Sequence, residues 1–333
     1  MRIAVTGAAG FIGSHLCEAL VAFGHEVVGL DNFDDFYVPA QKRDNLLQLK
    51  TTAGFRLIEL DIRDRGAVKG SLHGCGAVVH LAARAGVRLS FAHTSLYADV
   101  NVTGTAVVLE AVAELGIPRL VFGSSSSVYG EGASVPFCED ASLGRAASPY
   151  AATKVAGEML CRNFASRIPR LAILRFFTVY GPRQRPDLAI HKFARLILAD
   201  QSIPVYGSLE SFRDYTFVDD IVGGVMASLE LEEPLATINL GSGNPIRLDE
   251  MIRHLESALG RSARLDRQPP QEGDLYGTWA DVSRARELLG YSPRWRFEDG
   301  AQRFAEWVVA STVETKTATA LAGGDGLVRP SGV

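Results

Sequence analysis

The sequence predicts an α/β fold built on a doubly wound parallel sheet. Three observations carry that expectation. Short apolar runs alternate with stretches of helical period, a glycine triplet stands between the first run and the first helix, and the runs end in small or acidic residues. Alternation of this kind lays parallel strands in one layer with helices on both faces. Ligands of such sheets bind at the carboxyl ends of the strands.

In chain order, Ile3, Ala4 and Val5 form a short buried strand, and Gly7, Gly10 and Gly13 follow three apart. From Phe11 to Phe23 the apolar residues recur at helical spacing. Val27, Val28 and Leu30 form a second strand ending at Asp31. The glycines permit a tight turn and let backbone N–H groups approach a pyrophosphate at the helix N-terminus. Asp31 stands where a carboxylate accepts hydrogen bonds from adenosine ribose hydroxyls. Its charge would repel a 2′-phosphate, and Asn32 and Phe33 follow it rather than an arginine. NAD is therefore favoured over NADP. Strand, triplet, helix and strand-end acid together predict a Rossmann-like dinucleotide site. Gly7, Gly10, Phe11, Ile12, Gly13, Asp31 and Asn32 are its first candidates.

The pattern continues. Residues 55–60 (FRLIEL) read as a strand with Asp61 and Ile62 at its end, and 77–81 (AVVHL) as another leading into Ala82 and Ala83. Asp61, Ile62, Leu81, Ala82 and Ala83 join the cofactor-binding candidates. Leu120 to Phe122 is the next strand and ends in GSSSSVYG; helical stretches lie between, notably Val100 to Leu115. Asp31, Asp61, Ala82 and Ser125 are expected to cluster at one edge of the sheet. The sheet domain should take residues 1–177, with 217–241 returning to it through the strand ATINLGSG. Residues 178–216 and 242–311 should form a smaller α/β domain. Residues 312–333 are small and polar without period, and disorder is expected there.

The stretch SPYAATKVAGE, from Ser148 to Glu158, places Tyr150 four residues before Lys154, one turn apart on a helix face. Ser148 suits an N-cap and Pro149 a first turn. A free phenol has a pKa of ~10 and is a poor base at neutral pH. A nearby positive charge lowers that value, so Lys154 should favour the phenolate. A tyrosine so placed can take a proton from a substrate hydroxyl while hydride leaves the same carbon. Ser125 or its neighbours can hold the substrate oxygen.

Composition limits the alternatives. The chain has 333 residues, 47% apolar, with a net charge of -4 and no long run of one sign. A nucleic-acid footprint would be a basic face or stripe. Cys17, Cys75, Cys138 and Cys161 form no CxxC pair and sit at no zinc spacing, so free thiols in a reducing cytosol and no metal are expected. The N-terminus carries no signal-peptide pattern, and no apolar stretch is expected to reach the ~20 residues that cross a bilayer. A cytoplasmic protein is expected, with no membrane partner.

With these residues in view, the chain resembles the extended short-chain dehydrogenase/reductases, in their nucleotide-sugar epimerase and dehydratase branch. The motifs TGAAGFIGSH, HLAA, NVTGT, SSSSVYG, SPYAATK, LRFFTVYGPRQRPD and RDYTFVDDIV carry the likeness over roughly residues 1–310. The resemblance implies catalytic roles for Tyr150, Lys154 and Ser125, with Lys154 also on the nicotinamide ribose. It implies a nucleotide-sugar site in the smaller domain. Dehydratases of the branch carry an Asp-Glu pair where this chain has Ser126 and Ser127, so elimination is disfavoured. Decarboxylating uronate enzymes usually carry a glutamate where Ser127 stands.

The segments from Asp31 to Arg43, His80 to Arg88 and Leu174 to Asp187 are similar to UDP-glucuronate 4-epimerases. This implies NAD-dependent 4-epimerisation of UDP-glucuronate to UDP-galacturonate through a 4-keto intermediate. Ser125, Ser126, Ser127 and Thr178 make a hydroxyl-rich wall for a C5 carboxylate, with Arg88 and Arg185 as cationic partners or structural ion pairs. Arg213 matches the family's diphosphate arginine and Asp274 its ribose acid. Gln271 replaces a family arginine, which Arg247 or Arg267 could supply. The helices Val100 to Leu115 and Tyr150 to Phe164 suit a four-helix homodimer interface or ordinary core packing. The alternatives are a UDP-glucose or broad-range 4-epimerase, then an NDP-sugar reductase, then a redox-silent NAD-binding regulator.

Overall fold

The fold is that of a computed structural model, which describes residues 1–271 and 275–322, with 312–322 as backbone only. Its strands are β1 (Arg2–Thr6), β2 (Glu26–Asp31), β3 (Phe55–Glu59), β4 (Ala77–His80), β5 (Arg119–Ser125), β6 (Arg170–Phe176), β7 (Thr178–Tyr180), β8 (Ser202–Tyr206), β9 (Phe212–Phe217), β10 (Leu235–Leu240), β11 (Pro245–Arg247) and β12 (Arg264–Gln268). Seven of them form one parallel sheet in the order β10-β6-β5-β4-β1-β2-β3. The expected doubly wound sheet is present. Ile3, Ala4, Val5, Ala77, Val78 and Val79 are fully buried, because helices cover both faces and leave no strand a wet side. The chain order reverses between β1 and β4, and a crevice opens above their ends at Thr6 and His80. The remaining strands make two small sheets, β11-β9-β7 and β12-β8.

The helix carrying the tyrosine spans Pro149–Phe164, and the Ser148 hydroxyl accepts from the Ala151 amide at 3.1 Å. Cap and first-turn proline act as the sequence suggests. β5 runs past Phe122 through Ser125, and Ser126–Tyr129 forms a single 3-10 turn.

Three sequence expectations change. The helix anticipated from Val100 begins as a π turn, Asp99–Thr103, before the α-helix Gly104–Glu114. Asn101 in that turn bonds the Arg84 backbone at both N and O, and also the Thr153 hydroxyl. Second, the helical run Thr94–Glu114 is 21 residues long with mean hydropathy 1.2, long and apolar enough to cross a membrane. Here Val108, Leu109, Ala111 and Val112 are buried in the core, so its apolarity serves packing. Third, the last helix, Phe297–Ala322, runs into the stretch expected to be disordered. Residues 323–333 lie outside the described residues.

Two packing details position the crevice. His80 is buried between Thr6, whose hydroxyl lies 2.7 Å from Nδ1, and Thr105, 3.1 Å from Nε2. The Thr6 hydroxyl also accepts from the Leu81 and Ala82 amides, both at 3.1 Å, which sets the turn leaving β4. At Gly157 an added Cβ would lie 2.6 Å from Phe122 Cζ. Only a bare backbone lets the helix come that close to β5.

Gly157→Val should overpack this contact and lower stability by about 1–3 kcal/mol in urea unfolding; unchanged stability would refute the close approach. Burial lowers the His80 pKa from 6.5 to about 3. The folded value lies below the unfolded one, so unfolding takes up a proton as pH falls between them. Stability should fall more steeply from about pH 6.5 to about 3 in the wild type than in His80→Gln, and equal slopes would count against a buried neutral ring.

Candidate active site

A cleft of about 470 Å³ crosses the carboxyl ends of the sheet strands. Every cofactor candidate read from the sequence lines it: Gly7, Gly10, Phe11, Ile12, Gly13, Asp31, Asn32, Asp61, Ile62, Leu81, Ala82, Ala83, Tyr150 and Lys154. At one end the chain leaves β1 through Gly7, whose φ of +73° suits glycine, and the Gly7 amide donates to the Leu30 carbonyl at 2.7 Å. A Cβ on Gly7 would lie 2.9 Å from the Ala82 amide, and one on Gly13 would collide with the Gly7 carbonyl. Helix Phe11–Ala22 starts at Gly10 with no side-chain cap. Its first amides have no intrahelical partner and face the cleft mouth as an anion site.

Asp31 does more than face a ligand. Its Oδ2 accepts from the Ala9 amide at 3.0 Å and its Oδ1 from the Phe33 amide at 2.8 Å. Burial raises its pKa, opposed first by Lys42. Asn32 donates to Asp61 at 3.2 Å, and the Arg63 guanidinium holds Asp61 down at about 2.

At the other end Tyr150, Lys154 and Ser125 meet. Ser125 stands close enough to the Tyr150 phenol to lower its pKa, and both line the cleft. Ser125 Oγ accepts from the Ser127 hydroxyl at 2.9 Å and the Ser127 amide at 3.2 Å, which leaves its own proton free for a substrate oxygen. The electrostatics differ from the sequence reading. Burial raises the Tyr150 pKa, and Ser125 and Arg185 oppose the rise. Lys154 is not among the groups that move the Tyr150 pKa; its Nζ donates to the Gly123 carbonyl at 2.7 Å and sits 5.2 Å from the centre of the Phe122 ring. Burial lowers the Lys154 pKa to about 8.

Ser126, Ser127 and Thr178 line the same cleft, as do Arg185 and Arg213. Arg185 is bidentate to Asp187, both bonds at 3.0 Å. Arg213 donates to the carbonyls of Phe212, Leu275 and Tyr276 at 2.8, 2.6 and 3.1 Å. Arg88 is not brought to the cleft; its guanidinium lies 4.7 Å from the centre of the Tyr206 ring. Asp274 lies outside the described residues. Arg247 pairs with Asp249 at 3.1 Å away from the cleft, and Arg267 is exposed.

Sequence reading missed a second wall. Phe36 lies between Arg84 and Arg185, at 5.6 and 5.2 Å from its ring centre, and Arg84 is bonded to Asp34 at 2.7 Å. Tyr37 and Lys42 complete it. The Tyr37 hydroxyl and Arg84 Nε are buried without a partner, and both residues line the cleft. Buried polar atoms left open this way fit a polar ligand. The available signal was aromatic and charged residues interleaved directly after a strand end, at 34–43.

Residues 3–241 match the NAD dependent epimerase/dehydratase family. The UDP-glucuronate 4-epimerase of Thermodesulfobacterium geofontis is 40% identical over 309 residues, 91% of this chain and 94% of that one. The crystal structure of UDP-glucuronic acid 4-epimerase from Bacillus cereus in complex with UDP-glucuronic acid and NAD is 37% identical. It superposes with a TM-score of 0.89 over 93% of this chain and 100% of that one. The UDP-glucose 4-epimerase of Thermotoga maritima with UDP-glucose is 30% identical, with a TM-score of 0.86 over 94% of this chain and 100% of that one.

Proposed function

The chain belongs to the NAD dependent epimerase/dehydratase family, and we propose that it is an NAD-dependent 4-epimerase interconverting UDP-glucuronate and UDP-galacturonate. The observation that carries this reading is the hydroxyl wall. Ser125, Ser126, Ser127 and Thr178 share the cleft with Tyr150 and Arg185. Hydroxyls and a guanidinium are the donors a C5 carboxylate needs. Relatives and neighbours that are UDP-glucuronate 4-epimerases support it.

The residues present fit NAD. Gly7, Gly10 and Gly13 leave room for a pyrophosphate, Asp31 lines the cleft at the end of β2, and two buried polar atoms await a partner. Bound NAD supplies the hydride acceptor for C4 of the sugar and returns that hydride. The chain's own residues do the rest. Tyr150 takes the proton of the C4 hydroxyl, Ser125 steadies that oxygen, and Lys154 holds the ribose side of the site in place. Among the described lining residues the carboxylates are Asp31 at the end of β2, and Asp34 and Asp61 on the loops after β2 and β3. Among the described residues no acid–base pair stands beside Tyr150 to drive elimination, which leaves the keto sugar to turn over and be reduced on its other face.

The 4-keto uronate is a β-keto acid prone to lose CO2. Ser126, Ser127 and Thr178 hold its carboxylate out of alignment for that loss. Arg213 takes the UDP diphosphate. The protein is a cytoplasmic homodimer paired through the helices around Val100–Leu115 and Pro149–Phe164; an outward Met159, 60% exposed on the second of these, supports such a face.

Incubation with NAD and UDP-glucuronate should yield UDP-galacturonate, while UDP-glucose in a separate tube should yield little UDP-galactose. The reverse pattern would favour the UDP-glucose reading, which the T. maritima neighbour keeps in view. Tyr150→Phe should lose about 10²–10⁴-fold in turnover while still binding NAD. Ser126→Ala combined with Thr178→Ala should release more UDP-pentose than wild type, and no increase would remove the carboxylate-holding role.

A further inference from the structure

Tyr150, Lys154 and Glu158 stand four residues apart and make one stripe along the helix Pro149–Phe164. Each meets the end of β5. Tyr150 shares the cleft with Ser125, which lowers its pKa, Lys154 Nζ donates to the Gly123 carbonyl at 2.7 Å, and the Ser124 hydroxyl donates to Glu158 Oε1 at 2.6 Å. Two successive turns of helix are therefore bonded to consecutive strand residues, Gly123 and Ser124, and the turn before them presents Tyr150 beside Ser125.

The third contact has its own support. Arg175 grips Glu158 with two bonds, Nε to Oε1 at 2.9 Å and Nη2 to Oε2 at 2.8 Å. Arg175 is the register partner of Ser124 across β5 and β6. The Arg175 and Glu158 side chains are only 2% and 3% exposed. The guanidinium also lies 4.7 Å from the centre of the Tyr129 ring. A buried ion pair is a poor source of stability, because desolvation offsets the attraction. A two-bond guanidinium–carboxylate grip does fix position and orientation.

We propose that Glu158, held by Arg175, is a positioning residue that sets Ser125 against Tyr150 through Ser124. With the Ser124 side chain pinned to the helix, and the Gly123 carbonyl pinned one turn earlier, the backbone entering Ser125 cannot slide along the helix. Neither Glu158 nor Arg175 lines the cleft, so both act through their neighbours. The readout of this inference rests on the 4-epimerase reading.

Ser124→Ala removes the contact and leaves the ion pair in place. It should lower kcat about tenfold, within the ~10²-fold cost of a 1 Å misplacement, with KM for UDP-glucuronate and Kd for NAD within about twofold. Ser124→Thr keeps the hydroxyl and should restore most of the loss. Glu158→Gln should reproduce the kcat effect. Wild-type kcat in Ser124→Ala would overturn the proposal, as would a loss that Ser124→Thr does not rescue. If the wild-type chain turns over no UDP-sugar, the 4-epimerase reading fails on its own. Crystal structures of wild type and Ser124→Ala then decide the positioning claim: a Ser125 Oγ–Tyr150 Oη distance unchanged between them overturns it, and a lengthened one upholds it.

Discussion

The seating of one helix on one strand end governs the rest of this molecule. The helix Pro149–Phe164 comes against β5 at Gly157, where any side chain would strike Phe122. That close approach is what lets Tyr150 reach Ser125 and Lys154 reach the Gly123 carbonyl. The sheet matters to the site mainly because it fixes where β5 ends. Its parallel order brings β5 beside β4, and the crevice at the β1–β4 reversal then adjoins the serines.

Burial and charge at that junction pull against each other. Removing the phenol and the ammonium from water disfavours both charged forms, so the Tyr150 pKa rises and that of Lys154 falls to about 8. The opposing influences on Tyr150 are the Ser125 hydroxyl at the end of β5 and a cation from the far wall, Arg185. Arg185 is itself committed to Asp187. The phenol thus depends on residues from β5 and from the loop after β7, and not on its own helix alone.

The far wall follows from a second constraint. Cations facing a cleft need anchoring if they are to stay aimed at a ligand. Arg84 is anchored by Asp34, Arg185 by Asp187, and both flank the Phe36 ring. An aromatic face between two guanidinium groups holds them without neutralising them. Together with the glycine turn at Gly7 this makes the cleft suited to anionic groups along much of its length, as a dinucleotide and a sugar nucleotide side by side require.

Much of this was legible in the chain itself. The alternation of strands and helices, the dinucleotide turn, the Ser148 cap and the line of hydroxyls at Ser125–Ser127 and Thr178 follow from local rules: periodicity, glycine tolerance and side-chain chemistry act over a few residues and leave marks in sequence. The partners of Lys154, the cation that faces Tyr150, the turning of Arg88 onto Tyr206 and the open hydroxyl of Tyr37 left no such mark. Those were decided by the tertiary structure, because each depends on which distant segments come within hydrogen-bonding reach. The sequence determined which chemical groups the protein owns and which local turns present them; only the packed fold decided which group answers which.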